Sequence, residues 1–306
     1  MRRPIAAPPK PRRRLLLGLL WAAILVSGPS GHARADEPTI WSMQGARGEI
    51  LLLGSVHLLR SGDYPLPTNI DAAYARADRL VMELNEGEID PLEMQGLVMR
   101  IGRLEGDTTL AQVMGAGDYA RATALADDLG YPLDLLESVK PWLAAITIMN
   151  LHSINLGYRP ELGLEQQLAA RALRDGKPVL GLETAEFQLR LFDGLSDATQ
   201  SKLLLQTLAE ASDMDDQLNT LISAWRRGDS AALNRELTRS FEAYPDVYRV
   251  LVVERNRTWT KRLAEFADCE GVSFVIVGAL HLIGESSVVE MLSEQGHEIT
   301  RWHPGE

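Results

Sequence analysis

The chain has 306 residues, 45% of them hydrophobic, with 31 Lys and Arg against 42 Asp and Glu and a single cysteine. This composition excludes disorder over most of the length, which needs fewer apolar residues and denser charge, and the lone Cys269 excludes an internal disulfide framework. The formal charge of −11 argues against nucleic acid as a partner, because phosphates call for a basic surface.

Charge is unevenly spread. Residues 1–35 hold seven basic side chains (Arg2, Arg3, Lys10, Arg12, Arg13, Arg14 and Arg34) and no acid, which leaves 24 basic against 42 acidic groups, or −18, over 36–306. Arg12-Arg13-Arg14 leads into a twelve-residue apolar run over 15–26; helix breakers follow at 27–31, and Ala33-Arg34-Ala35 supplies small residues where a signal peptidase reads. This tripartite pattern predicts an export signal over 1–35, removed after Ala35, with an uncleaved anchor as the alternative. The run is shorter than the roughly 20 residues of a membrane span, so no stable span is expected after processing. No Cys follows the run, which excludes a lipoprotein anchor. The Arg-Arg-x-Leu-Leu spacing from Arg12 also resembles a twin-arginine signal. The expected destination is the periplasm or the medium, and 36–306 is expected to form one domain.

The first element of the mature chain is a buried strand over 49–56 that runs into Gly54-Ser55-Val56-His57. A helix over 69–77 and a strand over 79–84 follow, the latter carrying Glu83 in Val81-Met82-Glu83-Leu84. Apolar residues at three- and four-residue spacing predict helices over 91–104, 118–129, 141–154 and 162–174. A short strand over 179–183 ends in Gly181-Leu182-Glu183-Thr184, and a helix over 186–192 follows. The polar stretch 196–241 reads as helix broken near Gly228, and 247–267 as a long helix containing Arg255 and Asn256. A second apolar strand over 273–278 then runs into Gly278-Ala279-Leu280-His281, followed by a helix over 285–294 and a strand over 298–302. Strand, Gly-x-x-His, helix and strand thus occur twice, once near each end. The pattern predicts an α/β fold of two pseudo-symmetric halves forming a central sheet, with a helical insertion between them.

The chemistry converges on the two repeats. His57 and His281 lie just past strand ends, where loops leaving an α/β sheet open a crevice, and the glycine before each allows a sharp turn or close approach. Pairing of the halves would bring the imidazoles together although 224 positions separate them. Two facing imidazoles suggest a divalent metal: zinc, iron, cobalt or nickel suits them, and manganese would need carboxylate help. Glu83 and Glu183 both end apolar runs, so either can supply a carboxylate ligand or a general base. Arg255 and Asn256 can orient a substrate or stabilise an oxyanion.

Taken singly, each feature also has a plain structural reading. Glu83 reads as a strand-end charge meeting solvent or Arg79, and Glu183 as an acid complementing a helix dipole. Arg255 and Asn256 read as a polar helix face, as do Glu165, Gln166 and Gln167. Trp142, Trp225 and Trp259 read as packing residues, His152 as a satisfied helix histidine and Cys269 as a small semi-buried residue. The chain has no HExxH, GxSxG, Walker A or Rossmann fingerprint.

Gly54-Ser55-Val56-His57, Val81-Met82-Glu83-Leu84, Gly181-Leu182-Glu183-Thr184, Glu254-Arg255-Asn256 and Val277-Gly278-Ala279-Leu280-His281-Leu282 together resemble the TraB/PrgY/GumN family. That family is similar to the Tiki extracellular proteases and, more distantly, to erythromycin esterases and haem-binding ChaN-like proteins. The resemblance spans nearly all of 38–303. It implies a metal-dependent, peptidase-like hydrolase acting on a peptide or small molecule, with His57, His281 and Glu83 as its catalytic or metal-binding set. The alternatives are a non-catalytic protein that binds or sequesters a peptide, haem or metal, and a metal-free esterase-like hydrolase with His57 as base.

Overall fold

Leu51 and Leu53 point to one apolar core and Ile50 and Leu52 to another, so the strand they form is covered on both faces. That is why it reads as an unbroken apolar run and not an alternating one. The computed structural model describes residues 37–239 and 241–305; the expected export signal lies outside them. In chain order the elements are β1 (Ile40–Gln44), β2 (Gly48–Ser55), α1 (Thr68–Arg76), β3 (Arg79–Met82), α2 (Pro91–Gly102), α3 (Leu110–Met114), α4 (Ala116–Asp128) and α5 (Pro141–Asn155). Next come α6 (Leu164–Asp175), β4 (Val179–Gly181), α7 (Ala185–Asp193), α8 (Asp197–Glu210), α9 (Met214–Arg226) and α10 (Ser230–Arg239). The chain closes with α11 (Pro245–Tyr248), α12 (Glu254–Ala267), β5 (Gly271–Gly278), α13 (Val288–Glu294) and β6 (Ile299–Arg301), a π turn over Arg249–Val253 leading into α12.

The fold is mixed α/β. Six strands form one sheet in the order β4-β3-β5-β2-β1-β6. The strands β2, β5, β3 and β4 run parallel, while β1 is antiparallel to both of its neighbours. One face packs Phe274 and Ile276 with Tyr74, Leu168 and Trp225. The other packs Val275 and Val277 with Trp259, Leu263 and Leu292. A third core, built on Trp142, Ile148 and Leu204, lies wholly among helices and is the expected helical insertion. Side-chain caps start several helices: Asp90 before Pro91 in α2, Thr184 for α7, Ser196 for α8 and Ser287 for α13, each accepting from an N–H left free in the first turn. No helix among the described residues is long and apolar enough to cross a membrane.

Both Gly-x-x-His segments follow sheet strands, and each is followed by a helix and a strand. The expected symmetry of two halves does not emerge from the topology. The path from β2 to β3 passes over one strand, β5, whereas the path from β5 to β6 passes over β2 and β1. The two motifs are also out of step by one residue, with Gly54 opposite Val277 and Ser55 opposite Gly278. What the parallel pairing of β2 with β5 does achieve is to bring both motifs to the same edge of the sheet. The C-terminal ends of β3 and β4 reach that edge too, Met82 pairing with both Ile276 and Gly181.

Candidate functional site

Gly278 ends β5 at the centre of this edge. A Cβ at this position would lie 3.2 Å from Glu83 Oε1, 3.3 Å from His57 Nε2 and 3.6 Å from His281 Cδ2. The missing side chain leaves a cradle into which three of the expected site residues turn. Gly54 is needed for a different reason: its Cβ would stand 2.8 Å from the Ala279 Cα, so the two motifs pack backbone against backbone. The Trp225 indole N–H donates to the Gly54 carbonyl at 2.7 Å and ties α9 to the same corner.

His281 is buried and held from several sides. The Asn256 amide donates to the Ser286 carbonyl at 2.8 Å, so its oxygen faces His281 Nδ1 at 2.6 Å and accepts from it. The proton is therefore on Nδ1 and the lone pair on Nε2, where Arg255 Nη1 donates at 3.2 Å. The Trp259 ring packs with centroids 4.4 Å apart. Burial is the largest influence on the His281 pKa and pushes it down, with the Arg255 and His57 charges acting the same way. The ring is neutral.

His57 is the opposite case. Its side chain is 64% exposed, and Nδ1 meets Glu165 Oε1 at 2.7 Å. The Ser55 hydroxyl donates to that same oxygen. The Glu165 charge raises the His57 pKa from 6.5 to about 9, with the hydrogen bond to Glu165 and the charges of Glu83 and Glu86 acting the same way. Burial pushes the Glu165 carboxyl up, but His57 and the hydroxyl of Ser55 more than reverse this.

Glu83 Oε1 accepts from the Gly278 N–H at 2.8 Å and lies 4.0 Å from His281 Nε2. Its other oxygen accepts from Arg255 Nη2 at 2.5 Å and Gln188 Nε2 at 3.2 Å. Burial favours the neutral acid, yet the surrounding positive groups and the Gly278 N–H hold the carboxyl well down. Because His281 is neutral, Arg255 and His57 carry this effect.

Glu183 and Arg255 depart from the roles expected of them. The Glu183 side chain is 3% exposed, and its oxygens accept from Arg255 Nε at 3.1 Å, Arg255 Nη2 at 2.8 Å, Trp259 Nε1 at 2.8 Å and Gln188 Nε2 at 3.1 Å. Its acceptor capacity is taken by these donors, and it anchors Arg255. Arg255 spends its donors on Glu83, Glu183, His281 and the Leu251 carbonyl. It therefore steadies the site's own carboxylates and has no donor turned to a substrate oxyanion. Asn256 is fully buried and acts through His281. Glu165 is the residue missed in the sequence. It does not lie on a solvated helix face: its side chain is 16% exposed and grips His57. The available signal was an acid in the first turn of a helix opened by Gly163-Leu164. Periodicity gave no hint that this turn abuts His57.

Among the described residues no group of three or more His, Cys, Asp and Glu is spaced as a ready-made ion cage; Arg255 stands between the carboxylates. By donor type, two imidazoles and a carboxylate suit a divalent ion. Both imidazoles have Nδ1 engaged by a partner, the arrangement seen around metal-ligating histidines. Glu83 Oε1 faces the cradle while Oε2 keeps Arg255. The one bond in conflict is that from Arg255 to His281 Nε2.

Cys269 is exposed, not semi-buried as read from sequence, and donates weakly to the Glu265 carbonyl at 3.4 Å. His152 pairs with the Tyr131 hydroxyl at 3.1 Å.

Among similar proteins, the uncharacterized protein YbaP of Escherichia coli (strain K12) is 27% identical over 241 residues, covering 79% of this chain and 86% of that protein. The YbaP of Shigella flexneri matches to the same extent. An uncharacterized protein of Treponema pallidum (strain Nichols) is 21% identical over 273 residues, 85% of this chain and 81% of its own. No solved structure matches. With the TraB/PrgY/gumN family matched over residues 39–301, nearly the whole described chain, this protein belongs to the TraB/PrgY/gumN family.

Proposed function

We propose that this protein is an exported, metal-dependent hydrolase of the peptidase-like, Tiki-related kind, cutting an amide bond in a peptide or small molecule. The observation that supports this most is the cradle at Gly278, faced by His57 Nε2 and Glu83 Oε1 within 3.3 Å and flanked by His281. His57, His281 and Glu83 would hold the ion, with zinc, manganese or cobalt as candidates by donor type. When bound, such an ion supplies Lewis acidity to a carbonyl and lowers the pKa of a water.

The chain's own groups supply the rest. Glu83 stays ionised, and its Oε1 is turned to the cradle, where it would ligate the ion or take a proton from an attacking water. Arg255, bound to both Glu83 and Glu183, keeps that carboxylate aimed and prevents its protonation. Glu165 occupies His57 Nδ1 and leaves its Nε2 facing the cradle; Asn256 occupies His281 Nδ1, and the Nε2 of that ring is met by Arg255.

Metal analysis of purified protein, paired with cleavage of a peptide library, tests the reading. Wild type is expected to carry about one divalent ion per chain and to lose cleavage on chelation. The His57→Ala/His281→Ala variant should lose both ion and cleavage. Equal metal content in the two proteins, with no difference in cleavage, would overturn the proposal. Intact peptide retained without product under any metal would make the chain a binding protein instead.

A further inference from the structure

We propose that Glu165 is a positioning residue that decides which nitrogen of His57 faces the cradle. The inference deepens the hydrolase reading and rests on it only in treating Nε2 as the useful nitrogen. A ring that is 64% exposed is not held by packing, unlike His281, which is buried under Trp259. The Glu165 carboxylate meets His57 Nδ1 at 2.7 Å, and an ionised carboxylate only accepts, so Nδ1 carries the proton. The neutral ring then has its lone pair on Nε2, 3.3 Å from the position a Gly278 Cβ would take. Without that partner the ring is free to rotate and to hold its proton on Nε2 instead.

Glu165 is itself well fixed. The buried Ser55 hydroxyl donates to the same oxygen, and the Leu164 N–H donates to the Val56 carbonyl at 3.4 Å. The first turn of α6 is therefore stitched to the two residues that precede His57. Ser55 faces the carboxylate and not the imidazole, so this trio is not a serine nucleophile with its base. Asn256 performs the matching task for His281. The choice of partner follows burial: a neutral amide serves the buried ring beside Arg255, and a charged carboxylate serves the exposed one.

The test is the tautomer of His57 in metal-free, 15N-labelled protein, read by long-range proton–nitrogen NMR above the His57 pKa of about 9. In wild type the neutral ring is expected to carry its proton on Nδ1. In Glu165→Ala the His57 signals should move to the Nε2–H form or a mixture, while those of His281 stay put and report an intact fold. Cobalt(II) binding to the same variant, corrected for the proton that wild-type His57 must release, should weaken by about 10–100-fold, as for other lost partners of metal-binding histidines. Wild type with its proton on Nε2 overturns the proposal with no variant needed, and so does a folded Glu165→Ala with an unchanged tautomer. Failure of wild type to bind cobalt or cleave any peptide would count against the hydrolase reading alone, because the tautomer is read without either.

Discussion

The two imidazoles come from the same short motif and end in opposite electrostatic states. His281 is kept neutral by burial, whereas His57 is kept charged by Glu165 up to about pH 9. On the proposed metal-binding reading, an ion arriving at neutral pH would displace a proton from His57 and none from His281 or Glu83. Titration calorimetry in buffers of differing ionisation enthalpy should register release of about one proton per ion, and affinity should rise about tenfold per pH unit until pH passes the His57 value. Because the ring is exposed, added salt should screen the pair and lower that midpoint. The same shift makes the ion pair's contribution to stability complete below pH 6.5 and lost as pH rises through about 9. Glu183 acts differently: removing it leaves Arg255, only 9% exposed, with Glu83 as its remaining carboxylate and takes the acceptor from the Trp259 N–H. Glu183→Ala is expected to cost about 3–5 kcal/mol in urea unfolding, the range for breaking a buried ion pair.

At the level of elements, the motif glycines are not interchangeable. Gly54→Ala pushes into the Ala279 backbone at 2.8 Å and should destabilise the fold by about 1–3 kcal/mol, the usual cost of overpacking. Gly278→Ala meets side-chain atoms at 3.2 and 3.3 Å, so it should leave the melting temperature close to wild type and abolish cobalt binding; thermal melts and calorimetry on the pair of variants check this contrast. The strands were legible because β2 and β5 are covered on both faces, which forces continuous apolar runs. The histidines were legible because their spacing from the strand end repeats. Glu165 was not: its role depends on α6 meeting the turn after β2, a tertiary contact more than a hundred residues away in sequence (Ser55 to Glu165). Nor was the saturation of Glu183, which is made by donors from α7 and α12.

Across the whole molecule, repetition in the sequence suggested two equivalent halves. The chain instead builds one sheet whose ends differ, with an antiparallel edge at β1 and β6 and a parallel edge at β3 and β4. The helical core around Trp142 was foreseen as an insertion, since its apolar residues follow helical spacing. The central place of β5 between β3 and β2 has a consequence in time. During synthesis β1 and β2 can close as a hairpin through the Gly45–Gly48 turn, and β3 can meet β4, but no strand joins these two pieces into one sheet until residues 271–278 have been made. The apolar edge of β2 must wait through the synthesis of more than 200 residues for its partner. A fold of such long-range pairing is slow to complete and exposed to aggregation while it waits, and the candidate site, which draws residues from both pieces, is completed in the same late step.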